Sequence, residues 1–273
     1  MRHAAFLAVL TLTACKGAEV APAAAAPELT AQDLQVAEQS LTDFTMSLSA
    51  KLMGHAKGTV KRAQWELVVD GAVVKKGTQT YDAALDGAQP ADLQLKVQSQ
   101  YVADAEALKA MDTRGGSLLC ALRGAFEVQE GAELRTVAFA RSKEVRVPRL
   151  PHLKAPEFEA GRYSEDEAGV TFHLGVDNPN PFEVTIQSLS YEVVLAGKKV
   201  SDGDVGKGER IRPSSTGVFD LEAKLSQESH PAAEVKKIIK SRSIPYEVKG
   251  QLQAGLFSAP FAYTGTITLP AAK

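Results

Sequence analysis

The sequence predicts an all-β protein made of two tandem antiparallel β-sandwiches, each with one short helix. Apolar and polar residues alternate strictly in many short stretches, most clearly from Val170 to Val176. This period of two is typical of strands that turn one face toward a core. The chain has 273 residues, which is enough for two domains that each bury a core. A long-range internal match, described below, indicates that the two sandwiches are copies.

The amino terminus is typical of a secretory signal. Arg2 precedes an apolar run that ends at Leu12 and is too short to span a membrane permanently. Leu12-Thr13-Ala14-Cys15 resembles a bacterial lipoprotein box, which implies that residues 1–14 are a signal peptide and that Cys15 becomes the lipid attachment site. The alternative is an ordinary signal with a chance cysteine.

Acyl chains on Cys15, palmitate among them, are the expected link to a membrane, since more than one chain makes attachment stable. Lys16 follows the cysteine where an aspartate would favour the inner membrane. By resemblance to Gram-negative lipoproteins, we expect a lipid-anchored protein of the cell envelope, at the outer membrane and facing the periplasm. The alanine- and proline-rich residues 15–27 predict a flexible tether, with a frayed helix as the alternative.

The first predicted sandwich spans residues 28–148. Asp70-Gly71 is a hairpin turn signal, and a short helix is expected from Asp104 to Met111, ending at Arg114-Gly115-Gly116. Alternation predicts the strands 44–50, 65–69, 93–97, 118–122, 126–128, 137–139 and 145–147.

Residues 149–156 are the predicted linker. With Pro148, Pro151 and Pro156 around it, this segment is expected to be stiff and extended, at about 3.1 Å per residue. We therefore expect two beads with limited freedom, unless Leu150 and Leu153 dock them together.

The second predicted sandwich spans residues 157–270. Its helix is expected from Pro231 to Ser241, with Ser229 as a candidate cap. Its predicted strands are 170–176, 182–195, 219–225, 244–252 and 261–269.

The stretch Asn178-Pro179-Asn180-Pro181-Phe182 interrupts this second unit. Neither proline can donate to a strand ladder, and each holds the preceding asparagine extended. The amides of Asn178 and Asn180 are then free to bond backbone groups that the sheet leaves unpaired. The favoured interpretation is that the stretch ends pairing and protects a sheet edge; a ligand or partner site is the alternative.

These residues, followed by Ser188-Leu-Ser-Tyr-Glu-Val193 and a Gly-Lys-Lys turn, resemble the group-two late-embryogenesis-abundant family, also called the water stress and hypersensitive response (WHy) domain. The resemblance covers about residues 157–270. It implies a small β-sandwich, for which we expect an immunoglobulin or fibronectin type III arrangement, no catalysis, and an association with desiccation or other stress. The expected function is a non-catalytic envelope lipoprotein that protects in water stress.

The two units match each other in sequence. Trp65–Gly71 lies over Tyr191–Gly197, an offset of 126, and Phe139–Pro148 lies over Phe261–Pro270, an offset of 122. Chance is the alternative, because any two β units share a period of two. Over the Asn-Pro stretch the first unit has Leu52–Ala56, without the amides or prolines. The first unit is therefore predicted to be a degenerate copy.

Few side chains point to chemistry. His55, His152, His173 and His230 have no metal-ligand spacing, and no nucleophile–base pair is visible. We therefore predict no catalytic residue, no metal and no cofactor. The net charge of −2 gives no reason to expect nucleic acid.

Two further features leave alternatives open. Cys120 alternates with Leu118 and Leu122, which predicts a buried structural thiol; without acylation of Cys15, a Cys15–Cys120 disulfide is the alternative. A basic cluster is either a solvated helix end or a contact for anionic lipid headgroups or polysaccharide; it consists of Lys236, Lys237, Lys240, Arg242 and Lys249.

The second candidate function is a lipid- or protein-binding module of the envelope. A sandwich with an interrupted edge can leave an apolar groove between sheet and helix. The side chains expected to line that groove are Phe182, Tyr191 and Ile238.

Overall fold

The computed structural model describes residues 25–270. The predicted signal peptide 1–14, the lipid site Cys15 and most of the predicted tether 15–27 lie outside the described residues. The described part is all-β apart from two helices, and every strand pair in it is antiparallel. The predicted fold class is confirmed.

The first unit consists of two facing sheets and one helix. Its elements are β1 (Glu28–Gln39), β2 (Asp43–Met53), β3 (Gly58–Val69), β4 (Ala72–Leu85), β5 (Ala91–Gln100), α1 (Ala105–Arg114), β6 (Ser117–Glu130) and β7 (Glu133–Arg146). One sheet has the order β1-β2-β5 and the other has the order β4-β3-β6-β7.

The second unit has two main sheets, a small strand pair and one helix. Its elements are β8 (His152–Leu153), β9 (Glu157–Tyr163), β10 (Glu167–Asn178), β11 (Val184–Thr185), β12 (Ser188–Leu195), β13 (Lys198–Val205), β14 (Arg210–Ile211), β15 (Ser215–Ser226), α2 (Ala232–Ser241), β16 (Ser243–Ala254) and β17 (Phe257–Thr268). In one sheet β10 lies between β15 and the strands β8 and β9; the other has the order β13-β12-β16-β17, and β11 pairs with β14.

The two units share one strand order. The sheet β1-β2-β5 corresponds to β9-β10-β15, and the sheet β4-β3-β6-β7 corresponds to β13-β12-β16-β17. In both units the helix follows the third strand of the smaller sheet and precedes the two strands that complete the larger one.

A row of alternating glycines and aromatic residues crosses the larger sheet of each unit. In the first unit the row is Gly77, Trp65, Gly124 and Phe139; in the second it is Gly203, Tyr191, Gly250 and Phe261. A Cβ atom at Gly124 would collide with the carbonyl oxygen of Gln64, and one at Gly250 would collide with that of Ser190. Only glycine permits such a close approach of backbone and ring.

The same rows show where the units differ in length. Gly124 pairs with Phe139, whereas Gly250 pairs with Phe261. The β6–β7 hairpin is therefore four residues longer than the β16–β17 hairpin. This hairpin contains the change of offset from 126 to 122.

The predicted strands include every central strand and the edge strands β5, β7, β15 and β17, whereas the missed strands all lie at sheet edges. β1, β4, β9 and β13 are edge strands whose side chains are mostly exposed or half-buried. An edge strand whose two faces are both largely exposed to solvent shows no alternation of apolar and polar residues. The alternation therefore did not predict these four strands.

Three local predictions have clear outcomes. The Asp70-Gly71 hairpin turn is confirmed, with φ angles of 48° and 87° that match a type I′ turn. The single strand 182–195 is wrong, because the chain pairs as β11, breaks, and pairs again as β12. Ser229 is not the cap of α2: Pro231 occupies that position without a side-chain bond, and the Ser229 hydroxyl donates to the carbonyl of Ser226.

Candidate functional site

The Asn-Pro stretch begins at the last residue of β10. Asn178 is 1% exposed and Asn180 is fully buried, while Pro179 and Pro181 are exposed. Burial of an amide side chain is costly unless its donors and acceptor find partners. The partners of the two asparagines therefore show what the stretch does.

Asn178 closes the loop that follows it. Its Nδ2 donates to the carbonyl oxygens of Phe182 at 2.8 Å, Ile211 at 3.1 Å and Arg212 at 3.1 Å. Its Oδ1 accepts from the backbone N–H and from the side chain of Asn180. One amide thus ties the proline loop to the segment that leads into β15.

Asn180 pairs with a peptide group of the linker. Its Nδ2 donates to the carbonyl oxygen of Arg149 at 2.8 Å, and its Oδ1 accepts from the N–H of Arg149 at 2.7 Å. Its own carbonyl accepts from the N–H of Ser214 at 2.9 Å. The Asn180 amide therefore bonds both backbone groups of Arg149, as a neighbouring strand would do in a sheet.

These bonds confirm that the asparagine amides pair with backbone groups left over by the sheets. The edge-protection interpretation is wrong in one respect, because β10 is a central strand, with β15 on one side and β8 and β9 on the other. All four amide groups, two carbonyls and two NH₂, already have partners, and Phe182 is 9% exposed. The stretch presents no unpaired side-chain amide to a ligand.

A charged group stands beside the motif. Asp177 accepts from the hydroxyl of Thr216 at 2.8 Å and lies 3.3 Å from Nζ of Lys154. The Thr216 bond first, and then Lys154, lower the pKa of Asp177. The linker residue Lys154 is held here because β8 pairs with the end of β10.

Two of the four described histidines, His173 and His230, are held by neighbouring groups of the fold. His173 lies on an exposed face with Nδ1 2.7 Å from Asp220. His230 is 3% exposed and contacts Ser229 Oγ at 2.9 Å and the Leu195 carbonyl oxygen at 3.1 Å. The imidazole of this serine–histidine contact is buried, and Ser229 is half-buried. Within residues 25–270 no cluster of His, Cys, Asp or Glu is placed to hold a metal.

Cys120 is fully buried, as the alternation predicted, and burial raises the pKa of its thiol to about 11. The disulfide alternative involves Cys15, which lies outside the described residues.

The basic cluster is only partly assembled. Lys249 is not with the others, since it lies on β16 and contacts Glu192 at 2.9 Å. Lys236, Lys240 and Arg242 line a cleft of about 670 Å³ beside α2, together with Tyr163, Ser164, Glu165 and Ile239. Lys236 also lies 3.6 Å from Asp166, so the cleft mixes both signs of charge.

The cleft beside α2 is lined by none of the three residues from which the sequence predicted an apolar groove. Phe182 belongs to the proline loop, Tyr191 covers Gly203 in the middle of a sheet, and Ile238 lies on α2. Sequence spacing could not reveal the cleft beside α2, because its walls come from the β9–β10 turn and from α2.

Residues 173–265 match the family model described as late embryogenesis abundant protein. The match begins inside β10, includes the Asn-Pro stretch and ends inside β17. It covers the greater part of the second unit, which is therefore a domain of the late-embryogenesis-abundant type.

The chain matches parts of several solved structures with low scores. A crystal structure from Archaeoglobus fulgidus is 16% identical, with a TM-score of 0.30, over 44% of this chain and 100% of its own. A solution structure from Arabidopsis thaliana is 18% identical, with a TM-score of 0.35, over 44% of this chain and 83% of its own. A β-glucuronidase from Bacteroides uniformis is 12% identical, with a TM-score of 0.32, over 82% of this chain and 26% of its own. No characterised protein matches the chain by sequence.

Proposed function

We propose that this chain, whose second unit is a domain of the late-embryogenesis-abundant type, is a non-catalytic lipoprotein of the cell envelope that protects in desiccation or other stress. The observation that carries the proposal is the family match over residues 173–265. The Asn-Pro stretch inside that match supports a scaffold role, since its buried amides bond only the chain itself.

The contacts of the described side chains support a non-catalytic role. His230 is buried against Ser229 and a backbone carbonyl, and His173 pairs with Asp220 on an exposed sheet face. An acyl-transfer or hydrolytic site needs a nucleophile and base that both reach a substrate. Neither histidine offers that arrangement.

We further propose that the first unit is a degenerate second copy of the same domain. The shared strand order and the matching glycine–aromatic rows support this duplication. At the position of Asn180, an offset of 126, the first unit has Gly54. This copy keeps the sandwich without the asparagine network.

Anchoring rests on Cys15. Acylation there places the protein on a membrane, with the outer membrane facing the periplasm as the proposed location. Each buried methylene of an acyl chain contributes about 0.8 kcal/mol, and two or more chains hold a protein stably. No helix among residues 25–270 is long and apolar enough to cross a membrane.

Two measurements test the proposal. Cells that express the chain are labelled with radioactive palmitate and fractionated, and Cys15→Ser is the matched control. We expect label and membrane association for the native chain and neither for the variant. A deletion strain is then dried and compared with the same strain carrying the native gene or Cys15→Ser. Unchanged survival on deletion contradicts the protective role, and label retained by Cys15→Ser contradicts the anchor.

The cleft beside α2 favours a second candidate function, in which the domain binds an envelope lipid or protein. Tyr163 and Ile239 give the cleft an apolar side, and Lys240 and Arg242 give it positive charge. This combination suits an amphiphilic anion. Mass spectrometry of the purified full chain is expected to show a co-purified lipid that Lys240→Glu removes. A lipid-free chain contradicts this alternative.

A further inference from the structure

The two units meet through a shared apolar junction. Leu41, Val102 and Leu108 of the first unit are buried within the core of the second. Tyr101 and Met111 pack against both cores. Helix α1 also lies against β17. The two cores are therefore in contact through this junction, whereas independent domains on a linker would have no such contact.

The linker between the units lies along the folded surface. Its prolines Pro148, Pro151 and Pro156 are buried, and Leu150 and Leu153 pack against the second core. Leu153 pairs with Val176 of β10. Leu150 and Leu153 therefore dock the linker on the second unit alone, and the contacts that join the two units come from Tyr101, Met111 and the other junction residues.

The backbone donors of the linker point toward the two units. Proline has no N–H, so between Pro148 and Pro151 only Arg149 and Leu150 can donate. The N–H of Arg149 donates to Asn180 Oδ1 of the second unit at 2.7 Å. The N–H of Leu150 donates to Asp112 Oδ1 of helix α1 at 3.1 Å. Each available donor is thus used by a side chain of a different unit.

An ion pair strengthens the contact between the linker and Asp112 of the first unit. Arg149 Nε donates to Asp112 Oδ1 at 2.7 Å, with Asp112 19% exposed and Arg149 49% exposed. Hydrogen bonds between ionised groups are stronger than neutral ones. The path Asp112–Arg149–Asn180 therefore runs from α1 through the linker into the asparagine network.

We infer that Asp112, Arg149 and Asn180 form an interdomain latch, in which the Asn-Pro stretch of the second unit fixes the first unit in one orientation. The pair then moves as one body. Units joined by a linker move relative to one another unless their interface restrains them, so the latch adds to the apolar junction in holding one orientation. This role is separate from acylation and from stress protection, since it concerns only contacts inside the chain.

The latch is tested by measuring the distance between the units. Spin labels are placed at Thr78→Cys and Thr266→Cys, two exposed positions of the two larger sheets, in the full chain carrying Cys15→Ser. Double electron–electron resonance then gives the distribution of distances. We expect one narrow distribution for the parent chain, in which the latch is intact. For Asp112→Ala and for Asn180→Asp we expect a distribution about twofold broader, since the apolar junction alone then restrains the relative motion of the units.

The control is Arg123→Met. Arg123 bonds Glu66 at 2.9 Å and is 55% exposed, so it loses a comparable ion pair within the first unit alone. This variant is expected to keep the narrow distribution, whereas Arg149→Met is expected to broaden it. Far-ultraviolet circular dichroism and Trp65 fluorescence separate a loosened junction from an unfolded unit.

Two results would overturn the latch. One is a broad distribution in the parent chain. The other is an unchanged narrow distribution in folded Asp112→Ala and Arg149→Met. Because the chain carries Cys15→Ser, neither result depends on acylation or on survival after drying.

Discussion

Asn180 donates twice to Oδ1 of Asn178, from its backbone N–H at 3.0 Å and from its side-chain Nδ2 at 2.9 Å. One oxygen thus fixes both the path of the chain and the rotamer of the second asparagine. The second asparagine can then reach the linker in only one direction. The two amides act as a unit, so their substitutions should not be additive.

Asn178→Asp is expected to destabilise the protein strongly. The new carboxylate keeps the acceptor but loses the NH₂ that serves the carbonyls of Phe182, Ile211 and Arg212. Buried acceptors left without donors cost about 1–3 kcal/mol each, so we expect a loss of at least about 3 kcal/mol in the free energy of unfolding. Urea unfolding measures it. Gln187→Glu, the same change at an exposed position, is the control, and equal midpoints for both variants would contradict the prediction.

The glycine rows predict matched effects in the two units. Gly124→Ala and Gly250→Ala each place a Cβ against a neighbouring carbonyl oxygen and against Phe139 or Phe261. We expect each to lower the free energy of unfolding by about 2 kcal/mol or more, since overpacked cores must shift their backbone. Gly169→Ala enters open space and should be tolerated. Thermal unfolding of the three variants decides, and a tolerated Gly250→Ala would refute the steric argument.

Thr216→Val is expected to raise the pKa of Asp177. The Thr216 hydroxyl is the main cause of the lowered pKa, and Lys154 adds to it. A carboxyl whose pKa is lower in the folded state stabilises the fold above its unfolded pKa of about 3.9, and this stability is lost as the pH falls through the folded value. Thr216→Val should therefore weaken the loss of stability at acid pH. Carbon-detected NMR titration of Asp177 measures the shift, with Thr185→Val as the exposed control; an unmoved pKa in Thr216→Val speaks against the assignment.

Cys120 should be inert in the folded protein. Its thiol is fully buried and its pKa is raised to about 11, so little thiolate exists at pH 8. Labelling of Cys15→Ser chains with a thiol reagent should proceed only after addition of urea. Rapid labelling without denaturant would show that the β3–β6 region opens in the native state.

The central strands were predictable because each must bury every second side chain in a core. Strands such as β2 and β10 bury alternate residues, and the pattern appears in the sequence. Edge strands such as β4 and β13 carry no such pattern, since both of their faces meet water over much of their length. Their pairing follows from their hairpins with β3 and β12 and not from their own residues.

The sequence predicted which amides form the asparagine network, but it did not predict the backbone groups that they bind. The prolines showed that the amides of Asn178 and Asn180 would seek backbone partners. The partners themselves, at Arg149 and Ile211, are 31 and 33 positions away, and no local pattern marks them. The basic cluster failed for a related reason: Lys249 is near α2 in the sequence but lies on β16, paired with Glu192.

The last described residues leave the fold beside the cleft of α2. The guanidinium of Arg242 donates to the carbonyl of Leu269 at 2.9 Å, and the Tyr163 hydroxyl donates to that of Pro270. Both side chains also line the cleft. A peptide fused directly after Pro270 would therefore start at the rim of this cavity and compete with any soluble molecule for it, whereas a fusion in the β6–β7 hairpin would not.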